Sequence, residues 1–168
     1  DLMQQVRRFL DVQAHLATEQ LKHWQQLYDE TYRQRTSQAN ATLDLVGWNS
    51  SYTGQPIPVE EMQVWLEDTL ALVQAYHPER VLEIGCGSGL LLFRLAPICK
   101  HYYGTDFSAS AIERVHQQLA QIEEEGGVKA AVTVLQRQAD DFSGFMEGQV
   151  DTVLLNSVVQ YFPDVNYL

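Results

Sequence analysis

Between Asp1 and Val46, apolar side chains recur at Met3, Val6, Phe9, Leu10, Leu16, Leu21, Trp24, Leu27 and Tyr28, with no Gly or Pro among them. This spacing predicts one or two amphipathic helices. The intervening Gln, Arg, Asp and Lys supply a solvated face, so the apolar stripe needs a partner surface. Polar residues from Arg33 to Thr42 dilute the pattern and predict a loop or linker. The next stretch, Gly47-Trp48-Asn49-Ser50-Ser51-Tyr52-Thr53-Gly54-Gln55-Pro56-Ile57-Pro58, is too rich in turn-forming residues for a helix. Pro58 suits a first helical position with Glu60 and Glu61 in the favourable first turn. Met62, Trp65, Leu66, Leu70, Val73 and Tyr76 continue that helix on one stripe until His77-Pro78 closes it.

Beyond Pro78 the period alternates between strand and helix. Val81 to Ile84 reads as a short apolar strand, Leu90 to Ile98 as a helix and His101 to Thr105 as a second strand. Ser108 is placed as the N-cap of a helix carrying Ala111, Ile112, Val115, Leu119 and Ile122, ended by Gly126-Gly127. Ala131 to Leu135 and Val150 to Leu155 complete four strands. Repeated β-α-β units predict an α/β fold: a doubly wound, Rossmann-like parallel sheet with helices on both faces, preceded by an N-terminal helical extension. The expected division is a helical extension or linker over 1–45 and a core over 46–168.

Composition narrows the function classes. A chain of 168 residues with 45% hydrophobic and 20% charged residues fits one globular domain, and no apolar run approaches a membrane span. The net charge of −11, without a basic cluster, argues against nucleic acid as a partner. Only Cys86 and Cys99 occur, and the five histidines show no ligand spacing, so neither a disulfide framework nor a metal site is expected and a cytoplasmic location suits the chain. The chain starts at Asp1 without signal-like patterning, which reads as a piece of something longer.

The chemistry concentrates at Glu83-Ile84-Gly85-Cys86-Gly87-Ser88-Gly89, between the first strand and its helix. Alternate glycines let the backbone turn tightly and approach a ligand where any Cβ would collide. The spacing differs from the dinucleotide and phosphate-gripping fingerprints, and no Lys follows to hold phosphates. Glu83 would repel a pyrophosphate but attract the ammonium of an amino-acid ligand. Cys86 is read as a small filler within this binding loop, since no His lies near it in sequence. Asp106 ends the second strand, where a carboxylate accepts hydrogen bonds from both hydroxyls of a ribose, and Phe107 is expected to flank an adenine. Asp140 and Asp141 offer a carboxylate for an exocyclic amine, beside the ring of Phe142. A zwitterionic tail, a ribose and an adenine together describe S-adenosylmethionine.

Glu83-x-Gly85-x-Gly87-x-Gly89, Asp106, Ala139-Asp140 and the strand Asp151 to Ser157 resemble the first four motifs of class I S-adenosylmethionine-dependent methyltransferases. Val46 to Pro58, Leu91 to Pro97, Asp140 to Gly144 and Asn156 to Pro163 are similar, more narrowly, to methyltransferase domains embedded in modular nonribosomal peptide and polyketide synthetases. The resemblance runs from about Ala14 to the last residue. It implies methyl transfer to the amino nitrogen of a carrier-tethered aminoacyl group, or alternatively to a hydroxyl or enol oxygen of a tethered polyketide. The implied partners are a carrier protein and neighbouring synthetase domains. It also implies a seven-stranded sheet, of which this sequence supplies the first four strands before Asn166-Tyr167-Leu168, so the core is expected to be incomplete at its C-terminal end.

Blander readings stand beside these. Asp106 alone would serve as a helix cap, and Asp140-Asp141 as a solvated turn. Tyr52 lies in a loop that covers the cofactor in the resembling domains, yet an isolated Tyr more often packs; Trp48 reads as a structural anchor. Asn156 and Ser157, with Gln160 and Tyr161, follow the fourth strand at the edge where ligands bind, and Tyr161 is the candidate catalytic residue or else part of the core. The first 30 residues are a packing surface serving as lid, linker or homodimer contact. A non-catalytic methyltransferase-like module remains the competing class.

Overall fold

The computed structural model describes residues 2–33, 44–50, 52–125, 131–164 and 167. The expected linker over residues 34–42, the helix-ending Gly126-Gly127, Ser51, Asn166 and Leu168 lie outside the described residues. Among the described residues four α-helices and four strands follow in the order α1 (Leu2–Arg33), α2 (Val59–Ala75), β1 (Arg80–Ile84), α3 (Leu92–Leu95), β2 (His101–Asp106), α4 (Ala109–Glu124), β3 (Val132–Gln136) and β4 (Thr152–Leu155).

All four strands are parallel, in the order β3-β2-β1-β4. Crossing from β2-β3 on one side of β1 to β4 on the other opens a crevice at the carboxyl ends of the strands, where open α/β sheets bind ligands. The register sets Glu83 of β1 beside Gly104 of β2 and Leu154 of β4, so the end of β1 is flanked on both sides. Val81, Leu82 and Ile84 are buried there, as continuous apolar strands of parallel sheets should be. Met62, Leu66 and Val73 from α2, Leu92 and Leu95 from α3, and Ile112 and Val115 from α4 complete the core around Tyr102. No helix among the described residues is long and apolar enough to cross a membrane.

Strand boundaries match the expected ones to within two residues, and Ser108 caps α4 by accepting a hydrogen bond from Ala111 N at 3.2 Å. Three differences have physical causes. Pro58 is the N-cap of α2 rather than its first helical residue. The helix expected over Leu90 to Ile98 shrinks to the four residues of α3 followed by a 3₁₀ turn over Ala96–Ile98. Residues 87–91 are held in a turn by Gly89 at φ +83°, and Pro97 has no N–H to continue an α-helical ladder. Leu2–Arg33 is one continuous helix whose two halves differ in burial: Trp24, Tyr28 and Tyr32 are partly buried, whereas Met3, Val6, Phe9, Leu10 and Leu16 are exposed.

Candidate functional site

A cavity of about 320 Å³ opens at the carboxyl edge of the sheet, a size suited to a small ligand. Its floor is the turn after β1, from Glu83 to Ser88; its sides are Asp106 and Phe107 after β2 and Asn156 to Tyr161 after β4; its cover is Leu21, Tyr28 and Tyr32 of α1. The turn is pinned to β2 by Gly85 N and Cys86 N, which donate to the Thr105 carbonyl at 2.8 and 2.9 Å.

The glycines of this turn do different work. At Gly87 (φ +52°) an added Cβ would lie 2.7 Å from the Tyr32 hydroxyl, so a bare backbone here lets the covering helix come down onto the loop. At Gly89 (φ +83°) the added Cβ would lie 2.5 Å from Cε2 of Phe93, so this glycine packs the turn against α3 and is not part of the cavity wall. Gly89→Ala therefore combines a left-handed backbone with an overpacked ring, and is expected to destabilise the fold by about 3 kcal/mol. Thermal unfolding of Gly89→Ala beside Gly87→Ala checks this: the first should lose far more stability, because the second meets only the end of one side chain from α1.

Two buried carboxyls face the cavity, and among the described residues neither forms an ion pair. Asp106 accepts from Gly87 N at 2.9 Å and from Ser108 N at 2.8 Å. Burial pushes it up to about 6, with Asp29 adding to the rise and those backbone N–H groups opposing it. Glu83, fully buried at the end of β1, receives the Tyr102 hydroxyl at 2.9 Å, and burial pushes it up to about 8. Cys86 is also buried, its thiol held well above the usual range by burial and by Asp106, which agrees with a filler rather than a nucleophile.

The cover is fastened by polar contacts across the fold. Asp29 of α1 accepts from Ser108 Oγ at 2.6 Å and Ser110 N at 3.2 Å, adding a second acceptor at the start of α4. Gln25 donates to the Phe107 carbonyl at 2.8 Å. Arg114 of α4 donates to the Tyr32 carbonyl at 2.8 Å and pairs with the buried Asp44, whose own carbonyl accepts from Ser88 Oγ at 2.8 Å. Tyr161 stands edge-on to Trp24 and Tyr28, with ring centroids 4.8 and 5.4 Å away, so an aromatic cluster joins α1 to the turn after β4.

Of the residues singled out in the sequence, the structure brings Glu83, Gly85, Cys86, Gly87, Asp106, Phe107, Asn156, Ser157 and Tyr161 to one cavity. Trp48 packs against Trp65, with ring centroids 4.7 Å apart and planes tilted by 48°, and also lines the cavity. Five positions fall outside the wall. Gly89 is packed against Phe93, and Tyr52 is 99% exposed. Asp140 is exposed and hydrogen-bonded by Tyr167, whose hydroxyl is pushed up to about 12 by burial and by Asp140. Asp141 is exposed and accepts from Ser143 N at 3.0 Å, which is turn geometry, and Phe142 is 45% exposed. Sequence reasoning missed Tyr32, Arg137 and Tyr167 as lining residues and Asp29, Asp44 and Arg114 as fasteners. For Tyr32 a signal existed, since it lies four residues beyond Tyr28 on the same helical face.

A buried carboxylate at the end of β2, a second carboxyl at the end of β1 and the Phe107 ring fit a ribonucleoside with a cationic tail, which is the donor and acceptor set of S-adenosylmethionine, whereas the space over Gly85, Gly87 and Gly89 is taken by Val158, Tyr32 and Phe93. Residues 82–168 match the family described as a methyltransferase domain. Chondramide synthase cmdD of Chondromyces crocatus is 44% identical over 151 residues, covering 90% of this chain and 4% of its own. The beauvericin nonribosomal cyclodepsipeptide synthetase of Beauveria bassiana is 36% identical over 161 residues, covering 94% and 5%. The chain thus spans about a twentieth of the length of these relatives. The magnesium protoporphyrin IX methyltransferase of Synechocystis PCC 6803, solved with bound S-adenosylmethionine, aligns with a TM-score of 0.46 at 20% identity, covering 86% of this chain and 59% of that one. With just over half of its residues in the family match, the chain belongs to the methyltransferase domain family, with S-adenosylmethionine as cofactor.

Proposed function

We propose that this domain methylates the α-amino nitrogen of an aminoacyl group tethered to a carrier protein within a modular synthetase. The similarity to a nonribosomal cyclodepsipeptide synthetase over 94% of the chain supports the substrate class, because a peptide synthetase assembles aminoacyl groups. S-adenosylmethionine, when bound, supplies a methyl group already activated by the sulfonium. The work left to the protein is to hold nucleophile and methyl in line and to keep water out.

In this reading Asp106 accepts from the ribose hydroxyls, Glu83 takes the ammonium and Phe107 flanks the base. Asn156, Ser157 and Tyr161, at the end of β4, line the part of the cavity left for the nucleophile. A neutral amine attacks through its own lone pair, so orientation suffices; a hydroxyl would need its proton removed in the transition state. The Tyr28 and Tyr161 phenols, which hydrogen-bond to each other, serve as orienting groups, since burial raises the Tyr28 hydroxyl far above neutral pH.

The test uses the full-length protein with trideuteromethyl-labelled cofactor and two carrier-bound thioesters, one aminoacyl and one α-hydroxyacyl. Fragmentation mass spectrometry should place the label on nitrogen of the first. Label on oxygen of the second alone selects O-methylation. Bound cofactor with no transfer to either selects a non-catalytic module.

A further inference from the structure

Glu83 and Asp106 end adjacent strands and face one cavity, but they are solvated differently. Asp106 has a backbone N–H on each oxygen, the arrangement that sustains a charged carboxylate. Among the described residues Glu83 receives a single neutral donor, the Tyr102 phenol, which stands on the same face of the sheet. The groups around Glu83 are the Tyr102 phenol and Asp106 carboxylate of β2 and the Cys86 thiol of the turn. None carries positive charge. Arg137, the one basic residue among the described residues lining the cavity, donates to the Ser143 carbonyl and lies over the Phe145 ring, 5.5 Å from its centroid.

We infer that Glu83 is held as a neutral acid in the free protein and gives up its proton when the ammonium of the cofactor binds, with Tyr102 as the positioning residue that fixes one oxygen in both states. This inference rests on the reading that Glu83 takes the ammonium. The balance is simple: the carboxyl O–H breaks, its electrons stay on Glu83 as the carboxylate charge that pairs with the ammonium, and the proton passes to buffer. Burial is the reason for the neutral state, and Asp106 reinforces it, since two carboxylates close together resist ionising together. The raised value of about 8 for Glu83, against about 6 for Asp106, gives the same order.

Calorimetric titration of the full-length protein with S-adenosylmethionine at pH 7, in buffers of different ionisation enthalpy, reads the protons exchanged. Close to one proton should be released per cofactor, since an acid titrating near 8 is about nine-tenths protonated one pH unit below. 5′-Methylthioadenosine, which lacks the ammonium, should release almost none, and this comparison needs no variant. Glu83→Gln should bind S-adenosylmethionine about 10- to 100-fold more weakly, with the release abolished. Tyr102→Phe should keep the release but move the midpoint of the affinity-against-pH curve upward, because the hydrogen bond favouring the charged form is gone.

Glu83-dependent affinity with no proton released overturns the inference and leaves the ammonium assignment standing. Release that persists in Glu83→Gln also overturns it, by moving the proton to another group. An unshifted midpoint in Tyr102→Phe removes Tyr102 from the device. Equal affinity of Glu83→Gln and the native protein overturns the ammonium assignment itself.

Discussion

Asp106→Ala is expected to weaken binding of S-adenosylmethionine by at least about a hundredfold. A hydrogen bond to a charged group contributes about 1.5–3 kcal/mol, and two ribose hydroxyls sharing one carboxylate bring the loss to about 3 kcal/mol or more. The carboxylate also organises the site before any ligand arrives, since Gly87 N and Ser108 N both point at it. Asp106→Asn separates the two effects: it preserves the volume but sets an amide NH₂ against one of those N–H donors. Both variants should therefore lose affinity, with Asn folding more nearly as the native chain does. The pH profile has its own sign. Protonation of Asp106 removes its acceptor charge, so affinity should fall as pH drops through about 6, on the opposite side of neutrality from the Glu83 transition. Calorimetry beside circular dichroism checks all of this, and a folded Asp106→Ala protein with affinity within twofold of the native one would remove Asp106 from the ribose.

The parts of this site that the sequence made legible are those governed by local rules. β1, the glycine turn and Asp106 could be read because a short apolar run, a punctuated turn and the residue ending the next strand are neighbours in sequence as well as in space. The Ser108 cap followed from the same logic. The shortened α3 was in principle legible too, since Pro97 stands in the middle of the expected helix. What the sequence hid was the cover. Gln25, Asp29, Tyr32 and Asp44 reach partners 70 to 82 residues away in the chain, and no periodicity announces such pairs. The stripe on α1 said that a partner was needed, but not that half of the helix would close a cavity while the other half projected from it. Asp141 shows how a local pattern can also serve a turn. Two adjacent acids after a strand look like a ligand contact, yet the second spends its oxygen on Ser143 N in an exposed turn.

Among those hidden contacts, the pair between Arg114 and Asp44 has the largest expected effect on stability. Asp44 is 3% exposed, and its carboxylate accepts from Val46 N at 3.1 Å and from the Arg114 guanidinium. Arg114 also donates to the Tyr32 carbonyl near the end of α1, so one side chain on α4 ties down both the cavity's cover and the segment leading into the 49–56 loop. Arg114→Met keeps the aliphatic stem but leaves a buried carboxylate without its counter-charge, which costs about 3–5 kcal/mol. Adding Asp44→Asn removes that stranded charge, so the double variant should be more stable than Arg114→Met alone, a sign that simple loss of packing does not produce. Cofactor affinity should fall in Arg114→Met as well, because Tyr32 is released from the loop at Gly87. Denaturant unfolding of the two single variants and the double variant decides it: a loss below about 1 kcal/mol in Arg114→Met, or strictly additive losses, would show that the ion pair is not what holds the cover in place.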